Sequence, residues 1–322
     1  MHRKEFLQIA AATLGAGYLR TVTARRAAAN STEHDGDNAI PRRRLGRTAL
    51  YPTILAFGTS RLHHQGSERE ACQVIETALS EGIRCFDTAE VYGSGSSEKW
   101  LGNVLGSFRS QVIIMSKTFT PQDRTANSAQ RHLDKSLVRL RTDYLDVWQV
   151  HALASPHDTD AAFAPRGAMS YLQAMRERGV VRAIGVTSHL SPAALLRAIE
   201  YWDRGIRFDV MQLPINPTDG VARQLDDSVL PMALSRGIGI VATATDVADW
   251  LRARGVCEMS DCLEYALSFP IGTAVMEMSN EQMTRDLARR AQGLENVTAR
   301  TSRGLMRCRP CGNPGLEFYY GA

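Results

Sequence analysis

Asp87, Tyr92, Lys117 and His151 are ionisable side chains of four kinds, and each lies at or just beyond the end of an apolar run of strand length. Residues 83–86 run into Asp87, and Thr88-Ala89-Glu90-Val91 then carries Tyr92 out to a turn at Gly93. Residues 112–116 lead into Lys117, and residues 145–150 lead into His151. A carboxylate and a phenol so close to one strand's end are a candidate pair for moving a proton. A free phenol has a pKa near 10 and is a poor acid at pH 7. A lysine cation beside it favours the phenolate, and an ionised aspartate keeps that cation charged and in place. A histidine can orient a carbonyl oxygen against the phenol. Together the four would protonate an oxygen on which negative charge develops. They supply no electrons, so a reduction at this site needs a hydride cofactor.

These side chains meet only if separate strand ends share one rim. The chain alternates in a way that provides this, with strands expected over 54–57, 83–87, 112–117, 145–150, 183–186, 209–213, 238–242 and 273–276. Between the first two, Ala71, Val74, Ile75, Ala78 and Leu79 follow helical spacing and Gly82 marks the stop. Further helices are expected over 97–105, through Leu133, Leu137 and Leu140, and around Tyr171, Leu172 and Met175. Ser191-Pro192 caps a helix running through Trp202, and others should cover 227–235, 262–268 and 281–292. A hairpin over 45–52 precedes the first strand, and the stretch from His151 to Pro165 reads as a long polar loop. The strands are continuous apolar runs, as a sheet covered on both faces requires. They recur about every 30 residues, the spacing of an α/β fold of the (β/α)8 TIM-barrel type in a single domain. A doubly wound sheet would place a glycine-rich phosphate turn after its first strand, and Gly58-Thr59-Ser60 is not one. Adjacent barrel strands lie about 4.8 Å apart, so strands two, three and four would deliver Asp87, Lys117 and His151 side by side.

The ordered set Phe86-Asp87-Thr88-Ala89, Tyr92-Gly93, Ser97-Glu98, Lys117, His151, Ile184-Gly185-Val186-Thr187-Ser188 and Gln212 resembles the aldo-keto reductase superfamily over about residues 42–287. The resemblance implies a (β/α)8 barrel that reduces aldehydes and ketones with NADPH, or alternatively NADH, on a small carbonyl substrate. Carried over position by position, it makes Tyr92 the general acid and Asp87, Lys117 and His151 its supporters. It places Ser188 and Gln212 against the nicotinamide carboxamide, with His189 where many members have asparagine, and puts Gly58 and Thr59 on the cofactor-binding rim. The nucleotide side departs from the pattern. Thr243 stands where an aromatic ring is usual, and Glu277 where a glycine often opens the loop that holds the adenosine phosphate. An added carboxylate near a phosphate is unfavourable. In the segment 281–286 Arg285 and Asp286 are changed, and Arg285 could supply a cation for a 2′-phosphate. The alternative reading is a catalytically weak barrel with an eroded nucleotide site, acting as a binding or regulatory subunit.

A chain of 322 residues, 44% of them hydrophobic, can bury one large core. No apolar run reaches the roughly 20 residues that span a bilayer. Five of the 38 basic residues, but only one acid, Glu5, fall in residues 1–29, and the rest of the chain balances to zero. The net charge of +4 is therefore a property of the leader, and no nucleic-acid partner is expected. That leader has a basic opening at Arg3-Lys4, a mildly hydrophobic middle and the small-residue run Ala27-Ala28-Ala29. It resembles a bacterial twin-arginine signal with Lys4 in place of the second arginine. Residues 30–41 then read as a linker and 42–322 as the barrel, with an irregular tail from about 293. This reading makes the twin-arginine export machinery a partner and the periplasm the destination; a cytoplasmic tail is the alternative. Six cysteines are scattered, and Cys308-Arg309-Pro310-Cys311 falls two short of the four ligands of a zinc or iron–sulfur site. It reads as a thiol pair or local disulfide, His63, His64 and His157 as exposed loop histidines, and no metal is expected. On the export reading the mature protein begins near Asn30 and lies outside the cytoplasm. Mass spectrometry of its amino terminus checks this, and a full-length cytoplasmic form refutes it.

Overall fold

The computed structural model describes residues 39–64, 66–118, 123–215, 228–243 and 258–294. The signal-like segment and most of the linker lie outside the described residues, as do the loop 216–226, Cys257, Cys308, Cys311 and the tail from 295. Eight parallel strands close into a barrel in chain order: β1 (Leu55–Gly58), β2 (Cys85–Asp87), β3 (Ile113–Lys117), β4 (Leu145–Val150), β5 (Val181–Thr187), β6 (Val210–Pro214), β7 (Gly239–Thr243) and β8 (Thr273–Glu277). β1 pairs with β8 on one side and β2 on the other, which closes the sheet. The helices α1 (Glu68–Ser80), α2 (Ser96–Leu105), α3 (Ala126–Leu140), α4 (Pro156–Phe163), α5 (Ala168–Glu177), α6 (Pro192–Asp203), α7 (Leu230–Ser235), α8 (Met259–Leu267) and α9 (Glu281–Gln292) accompany it.

One expectation is corrected. The segment between His151 and Pro165 is not all loop, because α4 occupies Pro156–Phe163. Its start carries the same signature as α6: the Ser155 hydroxyl accepts the Asp158 N–H at 3.1 Å, and Pro156 takes the first turn. Eight residues with little apolar periodicity hid it. His157 therefore sits on this helix and not in a loop.

Strand side chains alternate between two faces. Phe57, Phe86, Ile114, Trp148, Ile184, Met211, Ile240 and Met276 point outward into the layer shared with the helices. Their neighbours Ala56, Cys85, Met115, Val147, Ala183, Val210, Val241 and Val275 fill the barrel interior. The expected hairpin is present, with Arg43 N–H donating to Pro52 O at 3.1 Å, and its Leu45 and Leu50 join that interior cluster. Two residues further along each strand lies a different layer. Gly58, Asp87, Lys117, Gln149, Gly185, Gln212, Thr243 and Glu277 continue the inward series towards the carboxyl ends. The lumen is thus apolar below and polar at its mouth.

Outside the mouth, Asp146 ties three strands together. It is fully buried, accepts the Ile114 N–H at 2.9 Å, and pairs with Arg109 at 2.8 Å and Arg182 at 2.7 Å. Removing one partner of a buried ion pair leaves uncompensated charge. Asp146→Ala should destabilise the barrel by about 3 kcal/mol, read as a lower midpoint in chemical denaturation with no loss of cooperativity.

Candidate active site

Lys117 is fully buried in the lumen. Its Nζ lies 2.6 Å from Asp87 Oδ2 and donates to Thr88 O at 2.8 Å, so both partners come from β2 or the residue after it. A buried ammonium is tolerable only with such partners. The Tyr92 ring stands over it, with Nζ 5.0 Å from the ring centroid. His151 meets the same ring edge-on, at 6.0 Å and 79°. The four groups expected from their spacing therefore converge at one mouth.

Local structure explains why they stay there. Tyr92 opens a tight turn in which Gly93, Ser94 and Gly95 have φ values of 57°, 55° and 92°. The left-handed region is strained for Ser94. The turn is held from Glu90, whose Oε2 lies 2.5 Å from His132 Nδ1 and whose Oε1 lies 3.3 Å from Arg139 on α3. Arg139 also pairs with buried Glu98 at 2.7 Å, and Glu98 accepts from Ser116 of β3 at 2.6 Å. On the other side, the N–H and hydroxyl of Thr59 both donate to Asp87 O, at 3.2 and 2.9 Å. Thr59 thereby pins β1 to the end of β2.

His151 is positioned through its backbone. Its N–H donates to the Thr118 hydroxyl at 3.2 Å and its carbonyl accepts from Arg124 at 2.6 Å. Arg124 also donates to Ala152 O at 3.0 Å and grips Asp158 with two contacts of 2.7 Å. Ala152 is held at φ 50° while its N–H donates to the Thr187 hydroxyl at 2.7 Å. Burial, followed by the charge of Lys117 and the nearby His189 and Arg124, pushes the His151 imidazole well below the usual histidine range. It is therefore neutral at pH 7.

Several buried polar atoms of the mouth make no hydrogen bond: His151 Nδ1, Asp87 Oδ1, Gln149 Oε1 and Thr243 Oγ1. Such atoms are exceptional in folded proteins, and a cluster of them points to a ligand site. Of the residues assigned to the cofactor, Gln212 borders this cluster. It accepts from Gln149 Nε2 at 2.7 Å, and its own Nε2 lies 3.4 Å from Asp87 Oδ2. Ser188 is buried; its hydroxyl donates to Leu153 O at 2.6 Å and accepts the Ser191 N–H at 3.2 Å. The His189 ring lies 6.4 Å from that of His151. Gly58 lines the mouth where a Cβ would come within 2.7 Å of Glu277 Oε1. Arg285 is held elsewhere, 2.8 Å from Glu281 and 3.7 Å from Glu81, which caps the carboxyl end of α1.

Sequence reasoning missed Gln149, Arg124 and the Glu90–His132–Arg139 anchor. A step of two residues back from His151 would have found Gln149, because strand parity puts it in the same lumen. Nothing local marks Arg124, which lies 27 residues from the carbonyl it holds.

The family model for the aldo/keto reductase family matches residues 54–255. The chain is 28% identical over 298 residues to 6-dehydroglucose reductase of Novosphingobium aromaticivorans, covering 81% of this chain and 91% of that protein. It is 31% identical over 159 residues to L-galactose dehydrogenase of Arabidopsis thaliana, covering 46% of this chain and 48% of that one. The holo form of an aldo-keto reductase from Bacillus halodurans superposes with a TM-score of 0.67 at 20% identity, covering 83% of this chain and 95% of the other. An aldo-keto reductase from Klebsiella pneumoniae in complex with NADPH gives 0.65 at 18% identity, covering 82% and 93%. At these identities the two structures speak to the fold.

A histidine kept neutral by the folded state makes stability depend on pH in one direction. Below about 6.5 the unfolded chain takes up a proton that the folded chain refuses, so stability falls as pH falls. Thermal melts from pH 8 to 5 should show His151→Gln lacking up to about 1.4 kcal/mol per pH unit of that loss.

Proposed function

The chain belongs to the aldo/keto reductase family of NAD(P)H-dependent oxidoreductases, and on that premise we propose that it reduces a small aldehyde or ketone to the alcohol with Tyr92 as proton donor. The observation that carries this reading is the stacked order of charge at the mouth: carboxylate, ammonium, phenol, with Lys117 between Asp87 and Tyr92. A nicotinamide ring bearing a carboxamide fits the polar layer, because buried Gln149 Oε1 and Asp87 Oδ1 are acceptors without donors. Gln149, Gln212 and Ser188 would hold that end of the cofactor. When bound, it supplies the hydride that the protein's own side chains cannot.

Tyr92 then gives its proton to the carbonyl oxygen as that oxygen gains negative charge. Lys117 stabilises the phenolate left behind, and Asp87 keeps the ammonium from drifting away from the ring. The neutral His151 offers a ring N–H to the same oxygen and aligns the carbonyl without competing as an acid. Solvent restores the phenol proton after the alcohol leaves, so the net reaction consumes one hydride and one proton.

Two relatives are named for sugars, 6-dehydroglucose reductase and L-galactose dehydrogenase, which favours polyhydroxylated carbonyl compounds among the substrates to try. The signal-like leader adds the proposal that the reductase is exported already folded, with its cofactor aboard. Tyr92→Phe should lower turnover by about 10²- to 10⁴-fold while NADPH still binds, measured by steady-state kinetics beside fluorescence titration. Wild-type rates in that variant would remove Tyr92 from the role. A wild-type protein that binds no NADPH up to millimolar concentration would favour the binding-subunit alternative.

A further inference from the structure

Glu277 is the last residue of β8 and belongs to the inward series at the mouth. It is level with Gly58 of β1, which is itself level with Asp87 of β2. The missing side chain at Gly58 leaves the space into which the Glu277 carboxyl leans, since a Cβ there would sit 2.7 Å from Oε1. Oε2 accepts the Arg61 N–H at 3.2 Å, and Ser60 hydrogen-bonds to the same carboxyl. The group is therefore buried and built into the rim. It does not hang free in solvent.

Its charged surroundings do not favour ionisation. Asp87 faces it across Gly58, and Asp87 already holds the buried Lys117 ammonium at 2.6 Å. Arg61 approaches it through its backbone N–H. His63 and His64 follow on the next turn, and Glu281 on α9 is engaged by Arg285 at 2.8 Å. Burial pushes the Glu277 carboxyl up to about 7, with Asp87 adding to the rise and the hydrogen bonds from Ser60 and Arg61 opposing it. Both protonation states are thus populated near neutrality. Barrels frequently bind phosphate with the loops that follow strands seven and eight, and Glu277 stands where the last of these begins. A phosphate brought beside an ionised carboxylate is repelled in a site of low dielectric.

We propose that Glu277 couples dinucleotide binding to the uptake of one proton, the cofactor's phosphates binding to the mouth when this carboxyl is neutral. The inference rests on the reductase reading above. By linkage, affinity is level below pH 7 and weakens above it, approaching tenfold per pH unit. Glu277→Gln keeps the shape and the acceptor for Arg61 but removes the charge, and its affinity should not fall with rising pH. The experiment titrates NADPH into the full chain and into Glu277→Gln from pH 6 to 8.5, with thermal melts confirming that both are folded. Calorimetry at pH 8 in buffers of different ionisation enthalpy counts the protons. The expected result is a wild-type Kd at least tenfold weaker at pH 8.5 than at pH 6, with proton uptake near one per nucleotide, and neither effect in the variant. Parallel profiles in the two proteins would overturn the coupling and leave the reductase reading standing. Failure of both to bind NADPH at any of these pH values would overturn both.

Discussion

A lysine ammonium with no access to water is the constraint around which the barrel mouth is built. Lys117 is fully buried, and an unpaired charge there would cost several kcal/mol. Its two acceptors, Asp87 Oδ2 and Thr88 O, come from the neighbouring strand's end. The ion pair therefore demands a fixed register between β2 and β3, and the pairing of Asp87 with Met115 supplies it. Thr59 locks the Asp87 carbonyl from the β1 side. A closed sheet is what makes this rigid, because a strand with paired neighbours on both sides cannot slip without breaking both ladders.

Two further pieces of backbone must be brought to that pair, and each is tied down by charge from outside the barrel. The turn carrying Tyr92 includes a serine in the left-handed region, and strain of this kind persists only where the surroundings over-determine it. Here Glu90 is clasped by His132 and Arg139 of α3. The segment after β4 bends at Ala152, again at positive φ, and Arg124 with Asp158 closes around it. The same arginine lies close enough to disfavour a second positive charge on His151. It thus adds to what burial and the Lys117 charge already do to keep that ring neutral.

The cofactor side of the mouth follows a different logic. Gly58 and Glu277 are complementary, the absent side chain of one accommodating the carboxyl of the other. Arg285, the cation that could have balanced an added acid, is bound to Glu281 and Glu81 instead. Among the described residues, the inward layer of the mouth therefore carries the two carboxyls of Asp87 and Glu277, and Asp87 is the one matched by the lysine.

The order of strands and helices, and with it the barrel, was determined by the sequence itself. Continuous apolar runs separated by helical spacing leave a parallel sheet buried on both faces as the simplest solution. The candidate acid and its three supporters were legible for the same reason, since ionisable groups that close successive apolar strands must gather at one rim once those strands run parallel. Two things escaped. The same double burial that marks a barrel strand hides its alternation, so Gln149 was marked as inward only by its two-residue step from His151, and a short helix with weak periodicity passed for loop. Contacts such as Arg124 with the His151 carbonyl, Glu90 with Arg139, and Glu277 with the Arg61 amide were decided only by tertiary structure. They join residues far apart in the chain through groups that many surface residues could offer, and no local pattern selects among them until the barrel closes and brings them within reach.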